Sequence, residues 1–164
     1  MADSPSRDVL RVKLAESILP PPASLTQRDV RLPQIPGKPL AIIGVRRGGK
    51  TSFLHQQRAQ RMAEGRLAES QLLIGLEDER LVGMKATDLG WMIAEHERQF
   101  PALGEGRELS VYLDEVQLVP GWESLVHREA ASPSRSSTTP FVPRGYGLGR
   151  TRCLPTSITF RTRF

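Results

Sequence analysis

The chain has 164 residues, a length that suits one modest domain, and its formal net charge is +5. Hydrophobic residues make up 38%, enough for a buried core, and no apolar run approaches the ~20 residues of a membrane span. A single cysteine, Cys153, excludes an intramolecular disulfide and a cysteine zinc cluster, and no signal-peptide pattern opens the chain, so the cytoplasm is the default compartment.

Residues 1–38 form an N-terminal segment. Asp8 to Leu19 has the spacing of a short helix, stopped by Pro20-Pro21-Pro22. Val30 to Ile35 reads as a short edge strand because Pro33 would break a central ladder, and Pro36-Gly37-Lys38 reads as a turn. Residues 39–130 form the body. Leu40-Ala41-Ile42-Ile43 is a continuous apolar run, the pattern of a strand buried on both faces. A glycine-rich loop follows, then a helical stretch from Lys50 to about Glu64, with Gly65 placed to end it. Leu72 to Leu76 is a second strand, Asp88 to Phe100 a helix ended by Pro101 and Gly104, and Leu109 to Leu113 a third strand. Pro120-Gly121 makes a turn before a helix from Trp122 to about Ala131. Strands alternating with helices at this spacing predict βαβ units and a parallel sheet.

Residues 131–164 form a different region. They hold six arginines, eleven serines or threonines, and no Lys, Asp or Glu, so the basicity of the whole chain belongs to this tail. It reads as an irregular, disordered basic segment in which only Thr156 to Phe160 resembles a strand. Two functional readings compete. In one the body binds a nucleotide. In the other the chain is a non-catalytic interaction or nucleic-acid-associated module that uses the tail by counterion release, although the tail lacks interleaved aromatics. Trimming residues 131–164 is the cut that should separate them.

The loop carries the chemistry. Gly44-Val45-Arg46-Arg47-Gly48-Gly49-Lys50-Thr51 fits G-x-x-x-x-G-K-[ST], the Walker A pattern. Glycines at 44, 48 and 49 let backbone amides wrap a phosphate, and the following helix points its N-terminus at the anion. Lys50 is long enough to reach the β and γ phosphates, and the Thr51 hydroxyl can ligate Mg²⁺. Leu109-Ser110-Val111-Tyr112-Leu113-Asp114-Glu115 is an apolar strand ending in two acids, the Walker B pattern. Asp114 is placed to hold Mg²⁺ and Glu115 to polarise an attacking water. Arg46 and Arg47 have two open readings, contact with phosphate or a neighbouring subunit, and solvated loop charge. Glu77, Asp78 and Glu79 follow the second strand, where ligands bind in α/β sheets, but a solvated loop is the favoured reading. Trp122 reads as a packing anchor. His55, His96 and His127 share no metal-ligand spacing and read as surface or boundary residues.

With these motifs in place, the chain resembles the prokaryotic AAA-type P-loop ATPases, ATP-binding proteins that carry a separate C-terminal domain of unknown function. The resemblance lies in Ile35-Pro36-Gly37-Lys38, Ile42 to Thr51, Leu76 to Leu81 and Tyr112 to Glu123, and spans about residues 25–128. It implies an α/β, three-layer αβα P-loop NTPase fold on a parallel sheet of strand order 5-1-4-3-2, here incomplete at the C-terminus. It implies ATP and Mg²⁺ as cofactors. The nucleotide-binding set is Gly44, Arg46, Arg47, Gly48, Gly49, Lys50, Thr51 and Ser52. Thr51 and Asp114 are the metal set, and Lys50 and Glu115 the catalytic pair. ATP hydrolysis is the implied activity, with a homo-oligomer or protein partner left open. Beyond about Arg128 the resemblance ends. The expected strand between the loop strand and the Asp-Glu strand is missing, because Ala131 to Pro140 has no apolar run. This predicts a frameshift or truncation after about residue 130, two halves of a site without a hydrogen-bonded bridge, and slow or absent turnover for want of a sensor residue and an arginine finger.

Overall fold

The sequence Glu108–Asp114 explains the layering of the molecule. Leu109, Val111 and Leu113 alternate with Ser110, Tyr112 and Asp114, and a strand sends alternate residues to opposite faces. All six are buried, so this strand is covered on both sides. The computed structural model describes residues 4–30, 32, 39–101, 108–131 and 157–163. Its elements, in chain order, are α1 (Arg7–Ser17), β1 (Leu40–Ile42), α2 (Lys50–Ala63), β2 (Gln71–Gly75), α3 (Ala86–Gln99), β3 (Glu108–Asp114), α4 (Trp122–Ala131) and β4 (Ser157–Arg163). Among the described residues no helix is long and apolar enough to cross a membrane.

The aliphatic face of the sheet, with Leu72, Ile74, Leu109, Val111 and Leu113, packs against Leu10 and Leu14 of α1, Leu89, Met92 and Ile93 of α3, and Leu125 and Val126 of α4. Trp122 packs against this cluster as an anchor. The N-terminal helix is thus part of the core. It is tied down further by Arg7 to Asp88 (3.5 Å), Arg11 to Glu95 (3.5 Å) and Lys13 to Asp78 (2.8 Å). The opposite face, which presents Tyr112 and Asp114, carries α2. Gly65, at φ +87°, ends α2 by donating its amide to the Met62 carbonyl.

The strand order is β1-β4-β3-β2. β2 and β3 are parallel, with Gln71 opposite Ser110 and Gly75 opposite Asp114. β4 lies between β1 and β3 and is antiparallel to both, so the sheet is parallel in its β1, β3 and β2 members but mixed overall. This corrects the expectation of an unbridged site. Ser157 pairs with Ile42 on one side and Asp114 on the other, so the tail itself supplies the bridge. The physical reason is that unpaired backbone groups along β3 cost free energy, and any extended segment can satisfy them.

Two further expectations are corrected. β1 is not buried on both faces. It is three residues long, Ala41 is exposed and Ile43 is 59% exposed, because β1 is the last strand of the described sheet on that side. His96 is not a surface residue. It is 1% exposed, its Nε2 donates to the Glu69 carbonyl at 2.7 Å, and its ring meets Phe100. Val30 and Leu32 belong to no strand. The rest of that expected strand, the turn at 36–38, Gly104, and residues 132–156 with Cys153 lie outside the described residues.

Candidate functional site

The glycine loop joins β1 to α2 and closes on itself. The Gly48 amide donates to the Val45 carbonyl at 3.0 Å, and a Cβ at residue 48 would stand 2.9 Å from that same oxygen. Only glycine permits this approach without moving backbone. Arg47 (φ +59°) and Gly49 (φ +76°) both take the left-handed conformation, which turns the chain into the first turn of α2. For Arg47 that conformation costs about 1–2 kcal/mol, strain of the kind that collects at functional sites. Lys50 Nζ donates back to the carbonyls of Gly44 (3.1 Å) and Val45 (3.0 Å), so the loop curls round its own ammonium.

The next residue reaches the second motif. Thr51 Oγ1 donates to Asp114 Oδ2 at 2.5 Å across 63 residues of sequence. Asp114 is 2% exposed, and its carbonyl accepts the Leu76 amide at 3.1 Å. Glu115 then leaves the sheet in a left-handed conformation (φ +55°, ψ +40°), and Gln117 Nε2 donates to its Oε2 at 2.5 Å. Gly44, Arg46, Lys50, Glu77, Glu115, Gln117 and Leu118 line a cleft of about 450 Å³. Two cations and two carboxylates therefore face one space.

Of the expected residues, the structure brings Gly44, Arg46, Lys50 and Glu115 to the cleft and Thr51 to Asp114. Gly48 and Gly49 shape the loop, while Arg47 and Ser52 are exposed and do not line the cleft. The acidic run after β2 divides. Glu77 lines the cleft, whereas Asp78 accepts from Arg80 and Lys13, which hold its carboxyl well below the usual range and tie the loop to α1. Sequence reasoning did not single out Arg28, Gln56 or Gln117. Gln117 had a weak signal, a polar residue two positions beyond the paired acids. Arg28 and Gln56 had none.

Mg²⁺ takes hard oxygen ligands, keeps several waters, and is usually held by one or two protein groups plus substrate phosphates. Among the described residues no group of three or more His, Cys, Asp or Glu forms a metal cage. The Thr51 hydroxyl and the Asp114 carboxylate fit the sparser donor set, and they already converge on one point.

A strand, a glycine loop closed round a lysine, a helix, and a second strand delivering an acid to that helix's threonine constitute the P-loop NTPase fold. The chain matches the AAA domain family over residues 36–139, well over half its length, and belongs to that family. The match runs past Arg128, where the resemblance was expected to end. This membership supports a nucleotide-binding role of the AAA type. The uncharacterized protein MJ1544 of Methanocaldococcus jannaschii is 32% identical over 106 residues, covering 65% of this chain and 22% of that protein. The chain thus spans about a fifth of the length of the curated relative it matches. No solved structure matches the chain.

Proposed function

We propose that this chain binds Mg²⁺-ATP in the cleft between the glycine loop and the end of β3, and that it turns ATP over slowly or not at all. The observation that carries the reading is the contact between Thr51 and Asp114, which joins two distant motifs at one point beside Lys50. On binding, Lys50 exchanges the Gly44 and Val45 carbonyls for the β and γ phosphates, and the loop amides and the α2 N-terminus take the remaining phosphate oxygens. Thr51 and Asp114 would hold Mg²⁺, which would supply charge neutralisation at the phosphates. Glu115 faces the same cleft and orients water, steadied by Gln117. Slow turnover follows from the direction of β4. It begins at the cleft with Ser157, so no described strand between β1 and β3 ends there to present a polar sensor residue.

Calorimetric titration with ATP, with and without Mg²⁺, tests the reading. Lys50→Ala should weaken binding by at least about 10-fold, since a hydrogen bond to a charged group contributes roughly 1.5–3 kcal/mol. Asp114→Asn should remove the Mg²⁺-dependent part. Unchanged affinity in Lys50→Ala refutes the site. Phosphate release at the ~10 s⁻¹ of an ordinary enzyme refutes the slow-turnover part.

A further inference from the structure

We infer that Arg28 is a positioning residue for the glycine loop, anchored by Gln56, an inference that rests on the nucleotide-binding reading of that loop. Three hydrogen bonds define the device. Gln56 Oε1 accepts the Arg28 amide at 2.9 Å, and Gln56 Nε2 donates to the Arg28 carbonyl at 2.9 Å. The side-chain amide thereby grips the Arg28 backbone as a neighbouring strand would. Arg28 Nη2 then donates to the Gly48 carbonyl at 2.6 Å.

The guanidinium lies against the Gly48–Gly49 peptide. The space a Cβ would need at residue 49 is taken by Arg28 Nη2, with Cζ at 3.2 Å and Nε at 3.7 Å. Glycine at 49 is therefore required twice, by its φ of +76° and by the side chain placed over it. Gln56 lies seven residues beyond Gly49, two helical turns along the same face of α2, so anchor and clamped peptide share one rigid support. Beside these bonds, residues of 22–30 and of α2 line a groove of about 570 Å³.

The loop thus has two cross-links of different kinds. The inner one, from Lys50 to the Gly44 and Val45 carbonyls, must break when the ammonium turns to phosphate. The outer one, from Arg28 to Gly48, uses a carbonyl other than the two that Lys50 holds, and it can persist. It keeps the limb that enters α2 in place while the inner contacts are exchanged, which lowers the ordering cost of binding.

The test uses the full chain with Arg28→Met, Arg28→Lys, Gln56→Met and the double variant, and Lys50→Ala as the control for the reading itself. Hydrogen exchange of the amides from Val45 to Thr51 is measured without nucleotide, and Mg²⁺-ATP affinity by titration. Arg28→Met should speed loop exchange and weaken binding about 5- to 10-fold, the loss of roughly one hydrogen bond. The melting point without nucleotide should move by less than about 2 °C, since an exposed side chain adds little to global stability. Arg28→Lys should restore part of the affinity, and the double variant should be no worse than Arg28→Met. Unchanged loop exchange in Arg28→Met overturns the inference, as does affinity within twofold of the wild type or additivity of the two substitutions. A wild-type chain that does not bind ATP overturns the underlying reading instead, and loop exchange still decides whether Arg28 holds the loop.

Discussion

Arg58 offers the sharpest check on how this chain is packed. It lies in the third turn of α2, pressed toward β3, and is 2% exposed. Among the described residues its Nε and Nη2 have no hydrogen-bond partner, and burial lowers its pKa from the usual arginine range, opposed by the nearby Tyr112. The half-buried His55, one turn earlier, likewise has an Nδ1 without a hydrogen-bond partner among the described residues. Taking a guanidinium out of water costs several kcal/mol, and each unmet donor costs about 1–3 kcal/mol. Methionine has similar length, carries no charge and adapts its shape to the site. Replacing a buried ion by a well-packed apolar side chain is commonly worth up to ~4 kcal/mol, and among the described residues no counter-ion would be left stranded. Arg58→Met should therefore stabilise the chain by about 2–4 kcal/mol. In a chain of this size that raises the melting point by roughly 4–16 °C. Urea and thermal melts followed by circular dichroism read the effect, with Arg58→Lys as a charged control that should gain nothing. If Arg58→Met loses 1 kcal/mol or more, the guanidinium is satisfied after all and the reasoning fails.

His55 and His96 set a pH response. Burial is the main cause that lowers both pKa values, so each is held neutral in the folded chain while the unfolded chain protonates near 6.5. Their stability contribution is complete above that value and is lost as pH falls below it toward the depressed folded-state pKa values. Melts at pH 7.5, 6.5 and 5.5 should show a falling transition, and His96→Gln should flatten the slope; an equal slope in that variant would count against the assignment. Removing residues 157–164 should abolish the cooperative melt, because β1 and β3 pair only through β4 in the described sheet. A truncated chain melting within about 3 °C of the full one would show that the bridge is dispensable. For the same reason, trimming the whole tail cannot separate nucleotide binding from a nucleic-acid role.

Much of the fold was legible because its signals are local. The helices at Lys50–Ala63, Ala86–Gln99 and Trp122–Ala131 fall within a residue or two of their periodic patterns, and Gly65 and Gly121 occupy the positive-φ positions their neighbours predict. The loop was legible residue by residue, since G-x-x-x-x-G-K-T encodes a backbone shape. His96 shows where this stops. It read as a surface or boundary residue, yet the Glu69 carbonyl meets its Nε2 and lets the ring be buried.

What the residues alone determined was a P-loop body with a lysine and a threonine at the start of one helix and two acids at the end of one strand. Tertiary structure decided that Thr51 meets Asp114, that Arg28 is gripped by Gln56 and laid on Gly48, and that the tail returns to fill the gap in the sheet. The division has one physical cause. Turns, caps and periodicity arise from neighbouring dihedrals, whereas strand order, strand direction and burial arise from which surfaces meet, and those surfaces lie tens of residues apart along the chain.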